Sequence, residues 1–245
     1  MVSPRLVPRP AATVTGVAAV AAAAAVLLAG CGDGARSGPA SRPAAAPGRP
    51  AAPTAPGPPS AAGPAPLPVA PGAGRLHQTP AFPGTASAGF RDAMADLWLA
   101  VTTGQPALGQ PGFFPLAAYE QVKAISDPGA DWRDRLWHDF TLDVAAAHRL
   151  VGGGARLVRV VVPASQAAWI GPGGCYNAAG YWHVGGARVV YRKDGTVRSF
   201  GIASLISWRG EWYVVHLGAV LRSADAGTVD RPAYGAGIPG PPGGC

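Results

Sequence analysis

The stretch Ser199 to Gly218, SFGIASLISWRGEWYVVHLG, holds two runs rich in aliphatic and aromatic residues around Arg209-Gly210, the pattern of two strands joined by a two-residue turn. Read as a tight hairpin, it sets Trp208 opposite Glu211, Ile206 opposite Tyr213, Ser204 opposite Val215 and Ile202 opposite Leu217 on one face. Trp212, Val214, Leu205, Ala203 and His216 then fall on the other face. Both faces are largely apolar, so both need a cover: one is expected to meet helices, the other to line a pocket or a partner interface.

Upstream, YWHVGGARVVYR (181–192) and TVRSFGIASLISW (196–208) flank Lys193-Asp194-Gly195, a second hairpin signal, and ARLVRVVV (155–162) reads as a further strand. EWYVVHLGAVL continues the sheet after Arg209-Gly210. Residues 163–182, PASQAAWIGPGGCYNAAGYW, form the longest irregular segment among the strands.

The preceding part of the chain changes period. In SAGFRDAMADLWLAVTTG (87–104), Phe90, Ala93, Met94, Leu97, Trp98 and Val101 recur at three and four, with Asp92 and Asp96 opposite. Ser87 is suited to cap this helix and Gly104 to end it. FFPLAAYEQVKAI (113–125) predicts a shorter helix with Pro115 at its first position, broken at Asp127-Pro128-Gly129. DWRDRLWHDFTLDVAAAHRLVGGG (131–154) places Trp132, Leu136, Phe140, Val144, Ala147 and Val151 on one stripe of a third. Glycines 152–154 read as a helix stop, because no strand precedes them to make a phosphate cradle.

Three helices followed by antiparallel strands predict an α+β domain, with N-terminal helices packed on a curved antiparallel sheet formed by the C-terminal half. This order of elements over residues 86–221 resembles the nuclear transport factor 2-like, or cystatin-like, α+β cone fold. SFGIASLISWRGEWYVVHLG and GFFPLAAYEQVKAI also look like segments of actinobacterial lipoproteins, a resemblance that implies no activity.

The domain is expected over 82–222, which holds all seven tryptophans and is long enough for a single core. Residues 223–245 read as a Gly/Pro-rich tail. Residues 31–81 form a Pro/Ala/Gly-rich linker with almost no large aliphatic side chain. It cannot bury enough apolar surface to offset ordering entropy, so it predicts a disordered stalk of roughly 150 Å when extended at about 3.1 Å per residue.

Residues 1–30 read as an export signal: Arg5 and Arg9 without an acid, then an apolar run ending in small residues. Leu28-Ala29-Gly30-Cys31 resembles the bacterial lipobox. That resemblance implies cleavage before Cys31 and attachment of a diacylglycerol, usually with a further acyl chain such as palmitate, on the extracytoplasmic face of the cell membrane. An uncleaved membrane anchor and a soluble secreted product are the alternatives.

With Cys31 set aside, Cys175 and Cys245 remain, an even pair in an exported chain, each in a flexible Gly/Pro setting. They are expected to form a disulfide that folds the tail back on the domain. The formal charge of +7 is carried largely by the signal and linker. Eighteen arginines against two lysines reflect a GC-rich composition, and no basic run or nucleic-acid motif is present, which excludes nucleic acid as the expected partner.

No nucleophile elbow, phosphate loop, zinc-protease helix or redox cysteine pair occurs. His216 and His183 are the weak catalytic candidates, as an acid or base in a cone cavity. Two histidines without a carboxylate or cysteine motif do not make a metal site, so no metal or cofactor is expected. Asp134 and His138 read as a solvated pair and His148 as a packing residue. Trp169, Tyr176 and Asn177, on the long irregular segment, are candidates for binding a glycan, a lipid or an envelope protein. The chain thus reads as a membrane-anchored envelope module that binds a ligand or a protein; the alternative is a small-molecule isomerase or hydrolase using His216 or His183.

Overall fold

The computed structural model describes residues 73–223 and 225–245. The signal segment 1–30, Cys31 and the linker up to residue 72 lie outside the described residues. Helix α1 (Ala88–Thr103) begins where Ser87 Oγ accepts from the Phe90 amide at 3.0 Å and ends at Gly104 with φ +68°, the cap and stop that its ends need. After the 3-10 segment Pro106–Gly112 comes α2 (Leu116–Val122), with Pro115 one position earlier than expected, as its N-cap.

The third helical pattern is one run of turns: α3 (Pro128–Asp131), a π-helical stretch (Trp132–Trp137) and α4 (His138–Val151). Asp127 Oδ1 caps it through the Ala130 amide at 2.7 Å, so the Asp-Pro-Gly sequence starts this helix and does not break the one before, which has already ended at Val122. Its apolar stripe steps by four residues three times in succession, overshooting a 3.6-residue turn; the wider i→i+5 turn takes up the difference. Trp132, Leu136, Phe140, Val144, Ala147 and Val151 are all buried as a result.

The sheet has six strands, all pairs antiparallel: β1 (Arg156–Val161), β2 (Ala168–Ile170), β3 (Tyr181–Lys193), β4 (Thr196–Trp208), β5 (Glu211–His216) and β6 (Asp230–Tyr234). The two long strands β3 and β4 form its centre. β1 and β2 pair side by side along the outer edge of β3, and β5 and β6 along the outer edge of β4. Two of these short strands were not legible from periodicity: β2 lies inside the segment read as irregular, and β6 inside the segment read as tail.

The hairpin turns are as expected, with positive φ at Asp194-Gly195 and Arg209-Gly210. The register of the last hairpin is not. Trp208 pairs with Glu211 and Ile206 with Tyr213, but Ser204 pairs with His216, because Val215 is an extra residue in β5. A bulge of this kind shifts every later side chain to the opposite face. His216 therefore leaves the face of Trp212 and Val214 and joins that of Ser204 and Ile206.

Helices cover that second face. Phe113 lies within 5.5 Å of the rings of Trp132, Trp137 and Phe140, and Phe114 packs edge-on to Trp208 and Tyr213 at 6.0 Å. The other face is covered by the two ends of the described chain rather than by a pocket or a partner. On it Phe82 meets Trp182 and Trp212 edge-on, Gln78 Nε2 donates to Ser207 O at 2.9 Å, and the buried Arg188 donates to Arg231 O at 2.9 Å and Ser199 Oγ at 2.7 Å. The chain on either side of 82–222 thus packs on the domain too.

The last residues fold back as the cysteine count suggested. Gly240 donates to Gly186 O at 2.9 Å, Gly243 to Gln166 O at 2.8 Å, and Cys245 is bonded to Cys175. Gly186 sits in β3 where neither β1 nor β2 pairs with it; its φ is +61°, and a Cβ there would lie 2.5 Å from Gly240 Cα. Only two facing glycines let the tail pass this close to the strand.

Candidate functional site

Between the helices and the sheet face that carries His216 lies a cavity of about 340 Å³. α2 and the residue after it supply Tyr119 and Lys123, the π-helical stretch Arg135 and Leu136, β3 Tyr181 and His183, β4 Ser204 and Ile206, and β5 Val215 and His216. Gly244 and Cys245 of the returning tail complete the wall. The register shift at Val215 is what brings His216 into the same space as His183.

His183 is held from both sides. The Gly244 amide lies 2.9 Å from Nδ1 and can only donate, so Nδ1 is the unprotonated nitrogen. Nε2 therefore carries the proton and donates to Ser204 Oγ at 3.0 Å. In this tautomer the ring cannot take the serine proton. Burial lowers the proton affinity of His183 below the ordinary histidine value.

His216 is more strongly perturbed. Its pKa falls to about 4, first through burial and then through the charges of Arg135, Arg222, His183 and Lys123. Its Nδ1 is buried and has no hydrogen-bond partner. The ring is thus neutral near pH 7 and a weak base.

This depression makes a prediction. The unfolded chain protonates His216 near 6.5 and the folded one near 4, so the unfolded state binds more protons in between. Stability should be full above about pH 6.5 and fall as the pH drops toward 4, by at most about 3 kcal/mol from this residue. Urea unfolding of wild type and His216→Gln across that range checks it: the variant's curve should be flatter. Equal slopes for both would refute the assignment.

The cationic side of the cavity is ordered by its own bonds. Lys123 Nζ donates to Cys175 O at 2.8 Å and Asn177 Oδ1 at 3.0 Å. Burial, then Arg135, lowers its proton affinity. Arg135 donates to Asp131 through Nε at 2.7 Å and Nη2 at 2.5 Å, and through Nη2 to Tyr119 OH at 3.2 Å; Tyr119 in turn donates to Asp131. Asp131 is consequently held below its ordinary range, chiefly by the Arg135 hydrogen bond. No side-chain carboxylate lines the cavity itself.

The three loop candidates do not form one site. Asn177 is buried and serves Lys123, Tyr176 is 77% exposed, and Trp169 packs edge-on against Trp182 at 5.5 Å. Among the described residues no group of three or more His, Cys, Asp or Glu is placed to hold a metal, and His148 packs through Nδ1 on Val101 O at 2.9 Å. Tyr119, Lys123, Arg135, Tyr181 and Ser204 were missed by sequence reasoning. One signal was available: Lys123 is one of only two lysines in a chain that otherwise uses arginine.

No helix among the described residues is long and apolar enough to cross a membrane. Compared with protein-family models, with curated proteins and with solved structures, the chain matches none.

Proposed function

We propose that this protein is an extracytoplasmic lipoprotein, anchored in the cell membrane through Cys31 and carried on a Pro/Ala/Gly-rich stalk, whose domain binds a small ligand in the cavity of His183 and His216. The observation that carries the binding reading is the make-up of that cavity: about 340 Å³, at the small end of the range for ligand sites, with a wall shared between apolar side chains and convergent polar ones. Two or more acyl chains hold a protein stably at a bilayer where one does not, and the stalk sets the domain away from the surface.

An isomerase or hydrolase using His216 or His183 has less support. A general base works best with a pKa near the working pH, and His216 lies near 4. His183 presents a proton, not a lone pair, to Ser204, and neither ring has a carboxylate to orient it.

Two measurements test the proposal. Cys31→Ala should move the protein from the membrane to the soluble fraction and remove the acyl mass; unchanged partition would end the lipoprotein reading. Native mass spectrometry of the chain purified from its host should find a small adduct that Ile206→Phe, which narrows the cavity, displaces. An adduct retained by that variant would place the ligand elsewhere.

A further inference from the structure

We infer that the ligand of this cavity is a small monocarboxylate with an apolar body, its carboxylate held by Lys123, Arg135 and Ser204. The inference rests on the binding role proposed above and adds to it the chemical class of the ligand.

The donors that face the cavity are only partly used. The Lys123 ammonium has three N–H groups, of which two are taken by Cys175 O and Asn177 Oδ1. Arg135 spends Nε and Nη2 on Asp131 and Tyr119, which leaves both Nη1 protons without a protein acceptor. Ser204 Oγ accepts from His183, so its own proton is free to donate. Arg135, at 48% side-chain exposure, stands at the mouth, and the other donors lie deeper.

Acceptors are scarce by comparison. Asp131 is the side-chain carboxylate that acts on both cations, and it is already bonded to Arg135 and Tyr119. The two imidazoles are neutral, for the reasons given above. The free protons on Lys123, Arg135 Nη1 and Ser204 suit the two oxygens of one carboxylate; a phosphate monoester brings a third oxygen and a further charge. Bringing an anion to a partly desolvated ammonium beside a guanidinium also relieves the repulsion between the two cations. Leu136, Ile206, Val215 and Val220 supply the apolar part of the wall, which a hydrocarbon body fills.

Equilibrium dialysis of the full chain against four probes of one shape tests this: phenylacetate, 2-phenylethanol, 2-phenylethylamine and phenyl phosphate. Phenylacetate should bind at least about tenfold tighter than the alcohol and the amine, the loss of one charge-assisted pair. Lys123→Gln and Ser204→Ala should each weaken phenylacetate, the former about tenfold, and leave the alcohol unchanged; Ser204→Ala leaves the Lys123 bonds intact and covers the case in which Lys123→Gln does not fold. Tighter binding of the alcohol, the amine or phenyl phosphate overturns the carboxylate inference while the cavity remains a ligand site. If none of the four binds and Ile206→Phe changes nothing, both the inference and the binding role fall.

Discussion

Asp143→Ala should lower the unfolding free energy by about 3–5 kcal/mol, the loss typical of breaking a buried ion pair from one side. Asp143 is fully buried on α4 and receives the Gly218 amide at 2.8 Å, the Thr228 amide at 2.9 Å and the Arg222 guanidinium. The segment that joins β5 to β6 is thereby tied to the helix layer. Without the carboxylate, two amides and a guanidinium of 4% exposure lose their acceptor together. Burial pushes the Asp143 carboxyl upward even against those bonds, so the pair itself contributes little net stability, and the damage comes from leaving Arg222 behind. For a domain of this size the melting temperature should fall by about 10 °C.

Two controls separate that cause from general disruption. Asp139, which meets Arg222 at 3.2 Å and is 18% exposed, should cost only about 1 kcal/mol when replaced by Ala. Arg222→Leu added to Asp143→Ala should recover part of the loss, since it removes a buried cation left with Asp139 alone. A loss below about 1 kcal/mol for Asp143→Ala in denaturant unfolding would refute the account.

The second large effect belongs to the disulfide. Cys175 and Cys245 are 70 residues apart with Cα atoms at 5.5 Å. Replacing both by Ser frees a long loop in the unfolded chain and should reduce stability by about 4 kcal/mol in the chain-entropy model. A local consequence follows from the tail's hydrogen bonds. Gly244 is the residue next to the bridge and holds His183 Nδ1, so its release should let the His183 ring change tautomer and open one side of the cavity. Calorimetry under non-reducing conditions reads the first effect, and the NMR titration of the His183 ring the second. Alkylation of either thiol in the native wild-type protein would remove the premise.

Helices and central strands were legible because each follows a local rule. The stripe of Trp132 to Val151, the caps at Ser87 and Gly104, and the turns at Asp194-Gly195 and Arg209-Gly210 depend on residues close in the chain. β2 and β6 escaped notice because three and five residues carry too little periodicity, and both exist only by pairing with the long central strands. The candidate site was half visible. His183 and His216 were singled out as reactive types in apolar strands, but their meeting depends on one extra residue, Val215, which alternation alone places in an unbroken register.

By itself the sequence determined the α+β class, the two hairpin turns, the two ends of α1 and the pairing of Cys175 with Cys245, since local backbone preference and an even thiol count suffice for these. It also supplies the grounds for expecting a lipid anchor at Cys31. Only the tertiary structure decided that His216 turns toward the helices, that Lys123 and Arg135 converge there with spare donors, and that the His183 tautomer is set by Gly244. Those outcomes depend on a bulge, a crossing of glycines and contacts between residues far apart in the chain, where long-range packing overrides the local pattern.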